Sequence, residues 1–335
     1  MSAVVQVVAP WLAQQQRSLL AQRGHAWLLQ GPSGMGQFEL GMALVRAWLC
    51  EQPQTQGACG HCASCHSIDV HAHADLCVLM PETEMLARGW PLAEKAQSEI
   101  DDKKRKPSKE IRVDAMRDAV EFCQRTNARG RGKAVLVYPA ERMNAITANA
   151  LLKTLEEPPG DVRFVLATEA AHQLLPTIRS RCLGHTMLWP AEDQVQQWLQ
   201  QQGLAAEAAA VWLRAAGGRP WDAWAMSQSG QDMAFFQRMP QAVRAGDPAI
   251  FANMALPEIV QWLQKLCHDL MCVAQGAAPR YFAAADLPQP PSVMVLARWS
   301  KSLAQEARTA EHPFNAGLMS EALVAQARTV LHSKT

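Results

Sequence analysis

The sequence lacks an excess of charge of either sign. Its 335 residues include 32 Lys or Arg and 31 Asp or Glu, which gives a net charge of +1. This balance argues against a protein that coats nucleic acid with its whole surface, although a local basic patch stays open. Hydrophobic residues nevertheless make up 49% of the chain, which is the composition of folded domains. The length predicts two or three of them.

Two kinds of segment are also missing. No apolar run reaches the ~18 residues of a membrane span, so we expect no membrane-spanning helix. Residues 1–16 lack a basic stretch followed by an apolar one and a cleavage site, so we expect no signal peptide and a cytoplasmic location. In such a reducing compartment the nine cysteines are expected to bind metal or to be buried, because disulfides are rare there.

Short apolar runs alternate with helical patterns in the first half of the chain. Such runs predict strands at 26–30, 76–80, 134–138, 163–167 and 186–189. Helices are predicted between them, at 113–123, 145–155 and 174–180 and after the glycine-rich turn that follows the first strand. This alternation predicts a mostly parallel sheet with helices on both faces. After Pro190 the strand-like runs fade and Ala, Gln, Leu and Trp dominate, so the second half is predicted to be helical.

The glycine-rich turn at 31–38 has the shape of a phosphate-binding P-loop. Gly31 and Gly36 occupy the glycine positions of G-x-x-x-x-G-K-[ST], with Gly34 between them, and the turn joins a predicted strand to a predicted helix. The lysine position is Gln37, which has no charge for the β- and γ-phosphates. The Ser/Thr position is Phe38, which cannot ligate Mg²⁺. Backbone N–H groups here could still attract an anion, but the turn predicts no ATP hydrolysis.

The acidic residue that usually follows a second strand in such proteins is also missing. That residue helps to hold Mg²⁺, but the strand at 134–137 is followed by Tyr138 and Pro139, and Glu141 comes three places too late. Two independent losses therefore predict either a degenerate nucleotide site or a plain strand–helix turn. Both interpretations argue against an ATPase.

Four cysteines have the spacing of a metal site. Cys50, Cys59, Cys62 and Cys65 form the pattern C-x₈-C-x₂-C-x₂-C, which suits tetrahedral Zn²⁺. The fourth ligand is less certain than the cluster, because several histidines lie nearby, namely His61, His66, His71 and His73. A closed site with four thiolates would be structural, since catalysis needs an open coordination position. The other five cysteines lie in apolar contexts and are predicted to be buried.

A charged stretch at 101–109 separates the second predicted strand from the next helix. It contains Lys103, Lys104, Arg105, Lys106 and Lys109. An exposed loop is the simpler interpretation, and a small phosphate-contacting patch is the alternative. The sequence assigns no role to it.

Two longer motifs lie at residues 149–159 (NALLKTLEEPP) and 176–182 (PTIRSRC). Together with the glycine-rich turn at 31–38 and the four-cysteine pattern, these motifs resemble the clamp-loader branch of the AAA+ proteins over about residues 10–190. Beyond that the resemblance rests on helical character and a weaker likeness near 312–315. It implies an AAA+-like α/β domain at 1–189 with a zinc module at about 50–65. A small helical lid at 190–235 and a helical collar for oligomerisation at 236–335 would follow.

The resemblance also implies a function. The chain would be a non-hydrolysing subunit of the bacterial DNA polymerase III clamp loader, and so part of a nucleotidyltransferase holoenzyme. Arg181, in the Ser-Arg-Cys triplet, would reach ATP on a neighbouring subunit as an arginine finger. Cys50, Cys59, Cys62 and Cys65 would hold structural Zn²⁺.

The implied partners are ATPase subunits of the gamma/tau type and a delta subunit in a hetero-oligomeric ring. The sliding clamp and primed DNA would be reached through that ring, with no membrane involved. Two alternatives stay open, namely an active AAA+ ATPase with an atypical loop and a zinc-containing nucleic-acid-binding protein.

Overall fold

The computed structural model describes residues 9–230, 232–310 and 315–333. By its internal contacts the chain divides into two compact units, one ending at Gln194 and the next beginning at Val195. Most of the likeness near 312–315 lies outside the described residues. None of the described helices is both long and apolar enough to cross a membrane.

The first unit is built on a parallel sheet. Its strands are β1 (Ala26–Gln30), β2 (Leu76–Leu79), β3 (Lys133–Val137), β4 (Val162–Thr168) and β5 (Leu183–Thr186). They lie in the order β2-β3-β4-β1-β5, and each neighbouring pair is parallel. The predicted parallel sheet is therefore confirmed.

The position of the fifth strand was predicted wrongly. The apolar residues 187–189 suggested a strand at 186–189, but β5 ends at Thr186, where it pairs with Gln30 of β1. Because β5 is an edge strand, its own side chains are mostly exposed and give little apolar signal. Met187 then leaves the sheet and is buried against Gly31.

Helices cover both faces of the sheet. Those of the first unit are α1 (Pro10–Leu20), α2 (Gln37–Leu49), α3 (Ala63–Asp69), α4 (Glu82–Ala87), α5 (Glu94–Asp101), α6 (Val113–Gln124), α7 (Ala145–Glu156) and α8 (Pro176–Arg179). Alternate strand residues point to opposite faces. On one face α2 comes so close that a Cβ at Gly41 would lie 2.8 Å from Leu136 Cδ1. On the other face Val135 and Phe164 share an apolar core with Leu151 of α7.

The second half is helical, as predicted. Its helices are α9 (Glu192–Gln201), α10 (Ala206–Ala215), α11 (Pro220–Gln228), α12 (Ala234–Ala245), α13 (Leu256–Ala274), α14 (Val293–Thr309) and α15 (Ala316–Leu331). No described residue after Thr186 belongs to a strand. Short 3-10 helices complete the two units, at Ala140–Arg142, Ala171–Gln173, Pro248–Phe251 and Ala284–Asp286.

The predicted lid and collar regions are linked by hydrogen bonds within the second unit. Lys265 Nζ, from α13, donates to Ala215 O at the end of α10 (3.0 Å). Arg280 donates to Gly217 O through Nε (3.1 Å) and Nη2 (2.7 Å). These bonds satisfy carbonyls that the end of α10 leaves without a helical partner. The boundary at 235/236 falls inside α12, and the division into lid and collar stays a prediction.

Candidate functional site

The turn between β1 and α2 keeps the glycines of a phosphate loop but is closed by one of its own side chains. Gly34 and Gly36 have φ values of 72° and 92°, in the left-handed region that favours glycine. Gln37 is 2% exposed and donates from Nε2 to the carbonyl oxygens of Gly31 (2.9 Å) and Pro32 (2.8 Å). The side chain at the lysine position therefore bonds to the turn itself and does not extend towards a ligand.

An arginine from elsewhere in the chain lies beside this turn. Arg88 follows α4, and its guanidinium carbon is 4.3 Å from the ring centroid of Phe38 and 4.9 Å from that of Tyr138. Glu39 (3.3 Å) and Glu84 (3.4 Å) pair with this cation. Burial raises the pKa of Glu39, and the charge of Arg88 offsets part of that rise.

The two positions that would supply Mg²⁺ ligands in a P-loop protein therefore stack against a built-in cation. No sequence pattern indicated Arg88, because it lies 50 residues from both Phe38 and Tyr138. Only the fold brings the three together.

Tyr138, at the position of the missing acidic residue, and Glu141 both form local hydrogen bonds. Tyr138 Oη donates to Glu169 Oε1 (2.8 Å), and burial raises the pKa of this phenol. Glu141 accepts from Thr168 Oγ1 (2.7 Å) and from the backbone N–H of Glu169 (3.1 Å). Glu141 thus binds the end of β4, so its carboxylate already has local partners.

The four predicted cysteines come together as a candidate metal centre. The Sγ atoms of Cys50, Cys59, Cys62 and Cys65 all lie within 4.8 Å of one another. Cys50 Sγ is 3.8 Å from both Cys62 Sγ and Cys65 Sγ. A tetrahedral zinc site with Zn–S bonds of about 2.3 Å requires S···S separations of about 3.8 Å. The four cysteines are free thiols, so the cluster fits a metal ion in spacing and in ligand type.

Backbone groups also stabilise this cluster. The N–H of Cys59 points to Cys50 Sγ (3.3 Å) and the N–H of Cys65 to Cys62 Sγ (3.4 Å). Such bonds favour the thiolate form that binds metal. Burial raises the pKa of Cys62, but the Cys65 N–H and neighbouring groups outweigh it and lower that pKa to about 6.

One of the histidines suggested as alternative ligands, His73, is bonded to other groups. His73 Nε2 lies 2.6 Å from Ser64 Oγ, which in turn donates to Leu49 O (2.6 Å) at the end of α2. The Asp75 N–H donates to His73 Nδ1 (3.0 Å), so the proton of a neutral His73 is on Nε2. His73 and Ser64 thus link the segment that carries the four cysteines (50–65) to the end of α2.

The remaining histidines near the module have different environments. His71 stacks on Trp90 with ring centroids 3.9 Å apart. His61 is exposed, and its Nδ1 lies 2.9 Å from Cys59 O. His66 is exposed and its side chain has no partner among the described residues, so the contacts of the other three histidines favour the four cysteines as ligands.

The other cysteines follow the prediction in part. Cys123 and Cys267 are buried. Cys77 and Cys182 are half-buried against the core of the first unit, where burial raises the pKa of Cys182 to about 11. Cys272 on α13 is also partly buried, with its Sγ 3.8 Å from His268 Nδ1, so these three cysteines are less buried than predicted.

The structure brings together the two motifs that carried the resemblance. Arg181 lies just after α8, and Glu156 is the last residue of α7. The guanidinium donates to Glu156 Oε2 through Nε (3.3 Å) and Nη2 (2.9 Å), and through Nη1 to Thr177 O (3.0 Å). The Arg181 side chain is 30% exposed, so part of it stays open to solvent.

The charged stretch after α5 is paired in part, and the partners of its arginine lie in α4 and α5. Arg105 donates to Glu82 through Nη2 (2.8 Å) and to Glu99 through Nε (2.7 Å). Lys104 pairs with Asp102 (2.8 Å). The charge of Arg105 is therefore already balanced, which weakens the interpretation of this loop as a phosphate-contacting patch.

A parallel α/β sheet with a phosphate-loop turn between β1 and α2 is the fold of P-loop proteins of the AAA+ class. Comparisons with known proteins narrow this class. Residues 11–187 match the family model described as "DNA polymerase III, delta subunit". The chain belongs to this family, and the relatives described next are delta' subunits of DNA polymerase III.

Individual relatives agree with this assignment. DNA polymerase III subunit delta' of Pseudomonas aeruginosa is 37% identical over 212 residues, which cover 63% of this chain and 58% of that protein. Subunit delta' of Escherichia coli is 33% identical over 282 residues, 80% of this chain and 78% of that protein. The chain thus spans less than two thirds of the Pseudomonas relative. Among solved structures, a gamma subunit-related protein of Thermotoga maritima shares the fold, with a TM-score of 0.51, 18% identity and coverage of 96% and 100% of the two chains.

Proposed function

We propose that this chain is a clamp-loader subunit that does not itself hydrolyse ATP and that acts in the bacterial cytoplasm. It joins ATPase subunits of the gamma/tau type and a delta subunit in a hetero-oligomeric ring. The ring loads the sliding clamp on primed DNA. Membership of the delta' family is the observation that carries this proposal.

The state of the phosphate-loop turn supports the non-hydrolysing role. Gln37 bonds to the turn itself, and Arg88 stacks on the rings at the two Mg²⁺-ligand positions. Hydrolysis needs a cation at the β- and γ-phosphates and a held Mg²⁺, and this turn offers neither. The isolated chain is therefore expected to show no ATP turnover.

Arg181 is proposed to act on a neighbour's ATP. A guanidinium is always charged and grips phosphate oxygens in a bidentate fork. The side chain is partly exposed, and Glu156 and Thr177 hold it in one orientation at the end of α8. An arginine supplied in trans stabilises the charge of the transition state, an effect of ~10³–10⁵ in GTPases.

The cysteine cluster is proposed to hold structural Zn²⁺. Four ligands with suitable spacing leave no open coordination position for catalysis. We further propose a helical lid at 190–235 and a helical collar at 236–335, and that the ring assembles through the collar.

The test is a clamp loader reconstituted with wild-type chain, Arg181→Ala or Arg179→Ala. Arg179 is a matched control, because it is exposed and has no ion pair within the described part of the chain. We expect both variants to assemble. Only Arg181→Ala should lower clamp- and DNA-stimulated ATP hydrolysis, by the fraction of the total rate that the neighbouring ATP site contributes. Equal ATP turnover by the two variants would contradict the proposal that Arg181 acts as an arginine finger. Turnover by the isolated wild-type chain would overturn the non-hydrolysing role.

A further inference from the structure

The loop at 125–132, which joins α6 to β3, contains three arginines and is exposed along most of its length. Asp75, the residue before β2, holds the base of this loop. Its carboxylate is buried and accepts hydrogen bonds from the backbone N–H groups of Ala128 (2.7 Å) and Arg129 (2.9 Å). Hydrogen bonds to a charged group are stronger than neutral ones, so this attachment is a firm one.

A second attachment joins the same loop to the segment that carries the four cysteines. Arg129 donates through Nη1 to Glu51 Oε1 (2.8 Å) and through Nη2 to Ser67 Oγ (3.3 Å). Glu51 directly follows Cys50 in the chain. Ser67 lies on α3, two residues after Cys65. The Arg129 side chain therefore contacts residues next to the first and the last of the four cysteines.

The buried attachment is also connected to the cysteine segment. The Asp75 N–H donates to His73 Nδ1 (3.0 Å), and His73 Nε2 lies 2.6 Å from Ser64 Oγ. Ser64 is fully buried and directly precedes Cys65. A series of hydrogen bonds thus leads from the cysteine segment to the base of the loop, in parallel with the contacts of the Arg129 side chain.

We propose that the loop at 125–132 is a metal-dependent surface, which is ordered when the four cysteines hold a metal ion and released when the ion is lost. This inference rests on the structural metal proposed above. Loss of the ion removes the bonds that fix residues 50–65, and with them the fixed positions of Glu51 and Ser64. Both attachments of the loop then weaken together.

Asp75 and Arg129 are positioning residues in this arrangement, because they act on the metal site through other groups. Coupling between two equilibria is reciprocal, so a weaker attachment of the loop also lowers the affinity for the metal. Arg131 is exposed and has no ion pair among the described residues. The loop therefore presents this charge in a fixed position only in the metal-loaded chain.

The test compares the full chain loaded with stoichiometric Zn²⁺ and the same chain after a chelator has removed the metal. Hydrogen exchange reports backbone protection in the loop, and competition with a chromophoric chelator gives the affinity for Zn²⁺. The test variants are Arg129→Ala, at an exposed position, and Asp75→Asn. Arg125→Ala is the matched control, because Arg125 belongs to the same loop but pairs with Glu121 of α6 (2.6 Å).

We expect metal removal to raise the exchange rates at Ala128 and Arg129 about tenfold. Exchange in the loop at 157–160, which precedes β4 at the same edge of the sheet, should not change. The affinity for Zn²⁺ should fall about two- to fivefold in Arg129→Ala and about tenfold in Asp75→Asn. It should be unchanged in Arg125→Ala.

Two results would overturn the coupling alone. One is loop exchange that does not depend on the metal in a chain that binds Zn²⁺. The other is an affinity for Zn²⁺ that is the same in Arg129→Ala and Arg125→Ala. A wild-type chain that binds no Zn²⁺ would overturn both the coupling and the structural metal on which it rests.

Discussion

Arg181 and Glu156 form an ion pair that joins two separate sequence motifs. Both Nε and Nη2 of Arg181 donate to the same carboxylate oxygen, at 3.3 and 2.9 Å. Glu156 ends α7, and Arg181 follows α8 by two residues. The pair is solvent-accessible, with side chains 30% and 59% exposed, and such pairs contribute little to stability, ~0–1 kcal/mol. Its effect is therefore expected on the orientation of Arg181 more than on folding.

A substitution at Glu156 tests this interpretation. Glu156→Gln keeps the shape of the side chain but removes the charge that holds the guanidinium. We expect stimulated ATP hydrolysis of the assembled clamp loader to fall about two- to fivefold at the neighbouring site, the equivalent of a surface ion pair. Arg181 keeps its bond to Thr177 O, so the loss should be smaller than for Arg181→Ala. Thermal stability should not change.

Glu157→Gln is the matched control for that experiment. Glu157 is the exposed neighbour of Glu156, and its side chain has no bonded partner among the residues described. Equal effects of the two glutamine variants would contradict an orienting role for Glu156.

Metal removal tests the four-cysteine cluster. Metal analysis of the purified chain should find about one zinc ion per molecule. A strong chelator should lower the thermal midpoint by more than ~5 °C, because a structural metal contributes directly to folding. Cys62→Ser should lose both the metal and the response to the chelator. Cys272→Ser, a half-exposed cysteine outside the cluster, should keep both. A metal-free wild-type chain with unchanged stability would contradict the assignment.

The buried His73 predicts a pH dependence of stability. Burial is the main cause that lowers the pKa of His73 below its usual 6.5, so the folded chain favours the neutral form. The unfolded chain binds more protons as the pH falls below about 6.5, so the stability from neutral His73 is present above that pH and declines below it. His73→Gln keeps a donor for Ser64 but cannot titrate.

The measurement is the thermal midpoint between pH 7.5 and 5.5 with zinc present. The midpoint of the wild type should fall more steeply than that of His73→Gln. Burial also lowers the pKa of His185, so the double variant with His185→Gln separates the two contributions. Parallel curves for wild type and His73→Gln would show that His73 does not titrate in this way.

Restoring the P-loop side chains should not restore nucleotide binding. Gln37→Lys combined with Phe38→Thr supplies the missing lysine and hydroxyl, but Tyr138 still occupies the position of the acidic Mg²⁺ ligand. Arg88 also remains beside the turn, held by Glu39 and Glu84. We expect no saturable binding of a fluorescent ATP analogue with Mg²⁺, at concentrations where a gamma/tau-type subunit is saturated.

Two further variants extend this test. Adding Tyr138→Asp and Arg88→Met to the double variant removes both remaining obstacles, and binding is expected to appear there first. Binding by the double variant alone would show that Arg88 and Tyr138 do not keep the site closed.

Local patterns determined much of this protein from the sequence alone. Four of the strands, most helix positions and the clustering of the four cysteines follow from short-range spacing, because backbone periodicity and ligand geometry act over a few residues. The loss of the P-loop side chains at Gln37 and Phe38 is equally local. The edge strand β5 was misplaced because an exposed strand lacks the apolar pattern that marks buried ones.

Only the tertiary structure decided which distant side chains contact the phosphate-loop turn and the Arg181 motif. Arg88 reaches Phe38 and Tyr138, and Arg181 reaches Glu156, across separations of 50 and 25 residues. Such contacts depend on how the helices pack on the sheet. They leave no periodic trace in the sequence, because each arises from a single side chain whose position is fixed by distant neighbours.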